Sequence, residues 1–305
     1  MRKALMIGAA VGIAAATLLR SIPIHAEPVV DFYRGRTLHL LIGYGPGGGY
    51  DIYGRLVAEF LPRHLPGNPR IIAQNMPGAG SFVAAKYIYD VAPKDGTVLG
   101  SLAQTLALDS MTNTSLDVAK MPYIGRVVTN IDVGVALPKS GIKSFEDVRA
   151  KQYSVGASGG GSTTVLFPTA LKTYAGAKFK LVRGYSGTSD ILLAMERGEV
   201  DIVGAYGLPG ILASHAGWVQ HGETTLLFQA ALKRHRFLAH VPTLPELALS
   251  DEGRECCARQ RVLAKSAVPF SPPRACRRRG CALCEPRFAR CSRMRISLPH
   301  ARGES

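Results

Sequence analysis

Before residue 256 the chain has no cysteine; all six (Cys256, Cys257, Cys276, Cys281, Cys284 and Cys291) fall in the last fifty residues. The first 255 residues therefore carry neither a disulfide framework nor a thiol nucleophile. Histidine is thinly scattered, with no H-E-x-x-H and no paired metal spacing, so no metal is expected. His64, His215, His221, His235 and His240 read as surface or packing residues. No Gly-Lys-Ser/Thr follows a glycine loop, which excludes a P-loop. No GxSxG is present, which excludes a nucleophile elbow. The single tryptophan, Trp218, reads as a packed side chain. An enzyme and a cofactor are both unexpected in such a chain. Beyond the N-terminus no apolar run approaches the roughly 20 residues of a spanning helix.

The N-terminus is what an export signal requires. Arg2 and Lys3 precede an apolar run over 4–19, Pro23 breaks it, and Ile24-His25-Ala26 offers a small-residue cleavage site. Residues 1–26 are therefore expected to be a signal peptide directing the protein to the periplasm. The formal net charge of +15 suggests a nucleic-acid partner only until it is mapped. Residues 256–305 hold eleven Arg and one Lys against two acids, while the first 255 residues hold 25 bases against 20 acids. The body is near neutral, and no nucleic-acid partner is expected.

Short apolar runs with strand-forming residues occur at 37–43, 70–74, 98–102, 131–137, 153–157, 179–182 and 225–229, with Ile202-Val203 between the last two. Helical spacing follows at 52–61, 82–89, 144–150, 165–174 and up to Arg197. Ser144 with Asp147 three residues on has the form of a capping box. Strands alternating with helices argue for parallel sheets in two α/β lobes, and 305 residues are enough for two cores.

Four glycine-rich loops, at 44–51, 75–81, 158–164 and 184–190, sit between a strand and the next helix. Ligands of open α/β sheets bind at that position. Gly43-x-Gly45-x-x-Gly48 has GxGxxG spacing, but Pro46 stiffens it and no acid stands about twenty residues on, so a nucleotide is disfavoured. Helix N-termini attract anions through free N–H groups and the dipole. Glycine lets backbone approach closely. Four such loops point to a cleft that holds a carboxylate without arginine. Asp51 reads as a helix cap. Asp201 reads equally as a strand-end cap or a cleft residue.

The ordered set YGPGGGYDIYGRLVAEFLPRHLPGNPRIIAQNMPGAGS, APKDGTVLGSLAQT, GASGGGSTT and AMERGEVD resembles the substrate-binding receptors of tripartite tricarboxylate transporters, the Bug or TctC-like family. The resemblance implies a type II periplasmic-binding-protein-like fold: two α/β lobes joined by crossover strands, closing over the ligand. It places lobe 1 at 31–130 plus 229–255 and lobe 2 at 131–228. It implies a small carboxylate ligand, delivery to membrane permease subunits, and a monomer. A sensory binding protein is the alternative, and an α/β enzyme using a nucleotide or acyl substrate a remoter one. By motif, the first-lobe contacts are Tyr44, Gly47, Gly48, Gly49 and Asp51, then Asn75, Gly78, Ala79, Gly80 and Ser81, with Gln104 and Thr105. The second-lobe contacts are Ser158, Gly159, Gly160, Ser162 and Thr163, with Tyr185, Gly187 and Asp201.

After Glu255 the character changes. Residues 256–305 have no sustained period and are rich in Arg, Cys and Pro. Cys276, Cys281, Cys284 and Cys291 lack the two paired ligand sets of a good zinc finger. Arg277-Arg278-Arg279 suits nucleic acid or lipid, neither of use to an exported receptor. Codons for 265–278, started one base earlier, permit E-I-G-R-P-F-L-A-P-P-G-V-P-A, similar to the family's usual continuation. The tail is expected to be out of frame, with a frameshift near codons 255–256, and disordered.

Overall fold

The structure, a computed structural model, describes residues 29–107 and 115–265. The expected signal segment and residues 266–305 of the tail lie outside the described residues.

The first sheet has the order β2-β1-β3, from β1 (Thr37–Ile42), β2 (Arg70–Asn75) and β3 (Val98–Ser101). All three strands are parallel, and Ile42 pairs with both Asn75 and Ser101. The strands therefore end level, and the loops after them leave from one edge. Successive side chains alternate faces: Leu38 and Leu40 pack with Val57 and Leu61, while Leu41 packs with Ala84, Ala85 and Ile88. The covering helices are α1 (Val29–Tyr33), α2 (Gly49–Phe60) and α3 (Phe82–Asp90).

The second sheet has the order β6-β5-β7-β4-β8, from β4 (Asp132–Ala136), β5 (Tyr153–Ala157), β6 (Phe179–Arg183), β7 (Ile202–Gly207) and β8 (Thr225–Gln229). Strands β5, β6 and β7 are parallel. The expectation of parallel sheets fails at β4, which runs antiparallel to β7 and β8. The reason is where the chain enters. Ile124 and Val127 still pack on the first core, and Ile131 already packs on the second. The chain thus crosses between the lobes at their facing edge. Its first strand must start there, and Asp132 pairs with Gly207, the last residue of β7.

Helices α4 (Phe145–Ala150), α5 (Thr163–Tyr174), α6 (Thr188–Arg197), α7 (Leu208–Ser214) and α8 (Gly217–Gln220) complete this lobe. Ser144 and Asp147 form the capping box at α4. Pro168 lies inside α5 and cannot bond to the Thr164 carbonyl. Gly204 of β7 occupies that gap, where a Cβ would lie 2.8 Å from the carbonyl oxygen and 2.4 Å from Pro168 Cγ.

The resemblance expected the chain after Gln229 to return to the first lobe. Within the described residues it stays on the second. Ala230, Leu244, Leu247, Ala248 and Cys257 share a core with Phe145, Phe167, Phe179 and Phe228. Two polar ties hold this segment. The buried Gln229 amide donates to the Leu238 and Val241 carbonyls at 2.9 and 2.7 Å. Arg149 donates to the Leu247 carbonyl at 2.8 Å. The segment ends in α9 (Leu244–Leu247) and α10 (Asp251–Lys265), so a helix runs ten residues past Glu255 into the compositionally distinct tail.

Candidate functional site

The facing edges of the two sheets enclose a cavity of about 60 Å³. Tyr44, Gly48, Gly49, Tyr50 and Tyr53 line it from the loop before α2 and from the helix itself, with Gln104 after β3. Ser158, Ser162, Thr163 and Thr164 line it from α5 and its loop, Thr188 from α6, Tyr206 and Gly207 from the end of β7, and Pro209 and Gly210 from the start of α7. Val128, Asn130, Asp132 and Ala205 complete the lining. The N-terminal ends of α2, α5 and α6 face this space, and none has a side-chain cap. The first N–H groups of a helix have no intrahelical partner, so such ends favour an anion. The lining contains no Lys, Arg or His. Among the described residues no group of His, Cys, Asp or Glu could hold a metal ion.

Asp51 does not cap α2; Gly48 is the N-cap residue. Asp51 is 4% exposed and organises the loop before the helix. It accepts from Gly47 N at 2.9 Å, Arg55 Nε at 2.9 Å and Asn75 Nδ2 at 2.8 Å. Asn75 Nδ2 also donates to the Tyr44 carbonyl at 2.9 Å. Gly47, Asp51 and Asn75 thus build the loop from behind, and Tyr44 stacks on Tyr50 at 4.5 Å. Burial alone would raise the Asp51 pKa, but the bonds from Arg55, Gly47 and Asn75 outweigh it and hold the carboxyl below its usual range. Asp51→Ala leaves these donors unmatched and is expected to lower the unfolding free energy by about 2–3 kcal/mol. A depressed carboxyl stabilises above its unfolded pKa, near 4, and that contribution is lost as pH falls through the folded value. Urea unfolding should therefore show the gap between wild type and Asp51→Ala at neutral pH, narrowing below about pH 4. Equal stability at neutral pH contradicts the role.

Residues 79–81 carry positive φ throughout: Ala79 at 46°, Gly80 at 68° and Ser81 at 80°. Left-handed backbone is uncommon for Ala and Ser and persists where surroundings impose it. Ser81, fully buried, accepts from Ala103 N at 3.0 Å. Ala79 and Gly80 of this turn meet Gly159 of the other lobe at the cavity's rim, and neither these three nor Gly78 and Gly160 line the cavity. At the opposite rim Gly45 N donates to the Ser186 carbonyl at 3.0 Å and Ser189 Oγ to the Pro46 carbonyl at 2.6 Å. Gly187 faces Gly45 there. The lobes touch at both rims.

Within the second lobe Thr164 Oγ1 gathers Ser158 N and Ser158 Oγ at 3.0 Å and Ser162 Oγ at 2.6 Å, shaping the loop into α5. Thr105 is buried and Tyr185 packs on the core; neither lines the cavity. Asp201 precedes β7, at the far end from the cavity. It accepts from Ser154 N at 2.8 Å and Ser154 Oγ at 2.7 Å, which resolves its two readings as a strand tie.

The structure adds Tyr53, Val128, Asn130, Asp132, Ala205, Tyr206 and Gly207, with Pro209 and Gly210 of the first turn of α7, to the residues found by motif. Asp132 is 4% exposed and accepts from Gln104 Nε2 at 3.0 Å and Asn130 Nδ2 at 2.9 Å. Burial pushes its pKa up to about 6, against the opposing bonds from Asn130, Gln104 and Thr163. A single acid opening an otherwise apolar strand was the signal available for it.

The model of the tripartite tricarboxylate transporter family receptor matches residues 54–258. A UPF0065 protein from the gbd 5' region of Cupriavidus necator is 30% identical over 250 residues, covering 78% of this chain and 72% of that protein. The periplasmic binding protein BugD superposes with a TM-score of 0.62 at 16% identity, covering 85% of this chain and 96% of that one. MatC from Rhodopseudomonas palustris with bound malate superposes with a TM-score of 0.60 at 19% identity, covering 84% of each chain. At these identities the superpositions establish the shared two-lobed solute-binding fold. The family match spans most of the chain and both lobes, and the chain belongs to the tripartite tricarboxylate transporter receptor family, whose members are receptors rather than enzymes.

Proposed function

We propose that the chain is a periplasmic receptor that captures a small organic carboxylate, as a monomer, and delivers it to the membrane permease subunits of a tripartite transporter. One observation carries this reading. Three helix N-termini without side-chain caps, from both lobes, converge on a cavity lined by no basic side chain. Backbone N–H groups and helix dipoles are therefore the main attraction the cavity offers to negative charge. Because each lobe supplies only part of the lining, a bound carboxylate contacts both and favours the closed arrangement. MatC, of the same fold, holds malate, a ligand of this chemical class.

A thermal-shift panel on the purified full chain tests the reading. A carboxylate at about a hundred times its Kd stabilises by about 2.7 kcal/mol, a shift of several degrees. Carboxylates are expected to raise the melting temperature where their amides and alcohols do not. No shift across mono-, di- and tricarboxylates and amino acids, in this chain and in one with the reading frame restored near codons 255–256, would remove the reading.

A further inference from the structure

One wall of the cavity, beside the first residue of α5, has the reverse polarity. The Asp132 carboxylate is fixed there by Gln104 on one oxygen and Asn130 on the other, with a further side-chain hydrogen bond from Thr163. A carboxylate oxygen has two lone pairs, so acceptor capacity remains. Donation to Asp132 also fixes which way the Asn130 amide points. Its Oδ1 is thereby left buried with no hydrogen-bond partner. A buried orphan acceptor is costly and calls for a donor. Three acceptor oxygens thus gather at one wall. Thr163 of α5 and Tyr50 of α2 lie near Asp132, the remaining polar side chains of the lining are tyrosine, serine and threonine hydroxyls, and the lining supplies no cation.

A ligand bearing carboxylates alone would set like charge against Asp132, or would have to bring a proton with it. A hydroxyl would satisfy Asn130 Oδ1 and leave the charge unanswered. An ammonium has three donors and no acceptor and answers both. We propose that Asp132, with Asn130, is the specificity-determining ammonium subsite of the cleft, and that the preferred ligand is a carboxylate that also carries an amino group. This rests on the carboxylate-receptor reading and narrows it: the helix ends take the carboxylate and Asp132 takes the ammonium.

Calorimetric titration of the full chain with matched pairs tests this, running from glycine against acetate to aspartate against succinate and malate, and glutamate against glutarate. At about pH 7.5 Asp132 is ionised, given its pKa of about 6. The best-bound amino acid is then expected to exceed its desamino partner by about ten-fold or more. Asp132→Asn keeps the side chain's shape and removes its charge; it should abolish that preference by weakening the amino acid while sparing the partner. Lowering the pH of the wild type to about 5 should move the preference the same way, because protonation removes the same charge. This second measurement holds even if the variant folds poorly. Binding of desamino acids at least as tight as their amino partners, with Asp132→Asn changing both equally, overturns the inference and leaves the carboxylate reading standing. Binding of neither set overturns both.

Discussion

A chain carrying Gly159→Ala is expected to fold as the wild type does and to bind its ligand about a hundred-fold more weakly or worse. A Cβ at Gly159 would lie 1.9 Å from Gly80 N, 2.2 Å from the Ala79 carbonyl carbon and 2.6 Å from Ala79 Cα. All three are backbone atoms of the opposite lobe. Normal carbon contacts lie at about 3.5–4.0 Å, so no side-chain rotation relieves the clash. The facing turn yields poorly, since its three successive left-handed residues are tied through Ser81 Oγ to Ala103 N. The lobes must part instead. Parting them also loosens the opposite rim, where Gly45 meets Ser186 and Pro46 meets Ser189. The apparent affinity of a closing receptor scales with the fraction of molecules able to close. No atom of its own lobe lies nearer to that Cβ than these three, so the unfolding free energy should stay within about 0.5 kcal/mol of wild type. Gly160→Ala is the matched control: a Cβ there meets nothing within 4 Å, and affinity should be unchanged. Titration calorimetry beside urea unfolding separates the two effects. If Gly159→Ala binds within about three-fold of wild type, the rim contact does not govern closure.

Much of this geometry is legible in the sequence because turn chemistry is local. Glycine-rich turns after short apolar runs mark where strands end, and the parallel register then brings those ends to one edge. Tyr44, Gly48, Gly49, Ser158 and Ser162 reach the cavity for that reason. What the sequence hides is set by partners far along the chain. Asp51 has the place of a helix cap, but Asn75 from the end of β2, beside the local Gly47 and Arg55, decides its role. Asp201 has the place of a cleft residue until Ser154 claims it. Asp132 sits in an apolar run whose pattern says only that a strand begins; that it begins at the facing edge follows from where the chain crosses between lobes. At 207–210 strand β7 passes directly into α7 through Gly-Leu-Pro-Gly, with no glycine-rich loop between them to stand out.

Inserting one base near codons 255–256 is expected to turn a weakly stable chain into one that unfolds cooperatively, with a gain of several kcal/mol. We propose that residues 256–305 are a displaced reading frame, and three observations bear on it. The family match ends at residue 258, within three residues of the change in composition. After β8 the described chain never rejoins the first lobe, whose sheet has three strands against five in the second. Val83, Tyr87 and Val91, four residues apart along α3 and just past its end, form an exposed apolar stripe on that lobe. A stripe of that spacing is the face a helix ordinarily buries. The restored frame reads through E-I-G-R-P-F-L-A-P-P-G-V-P-A in place of 265–278, a segment without cysteine and with apolar residues to return. Covering one large apolar side chain stabilises by about 1.5–3 kcal/mol, and whole domains are stable by only about 5–15 kcal/mol, so two or three such contacts decide whether the first lobe holds. The helix through Lys265 and the buried Cys257 mean that the frame change costs the second lobe little. The loss should therefore be polarised: hydrogen exchange in the unrestored chain is expected to be fast in β1–β3 and slow in β4–β8, and uniform after restoration. Equal stability and equal protection of both lobes in the two chains would remove the displaced-frame reading and leave the tail as a native part of this receptor.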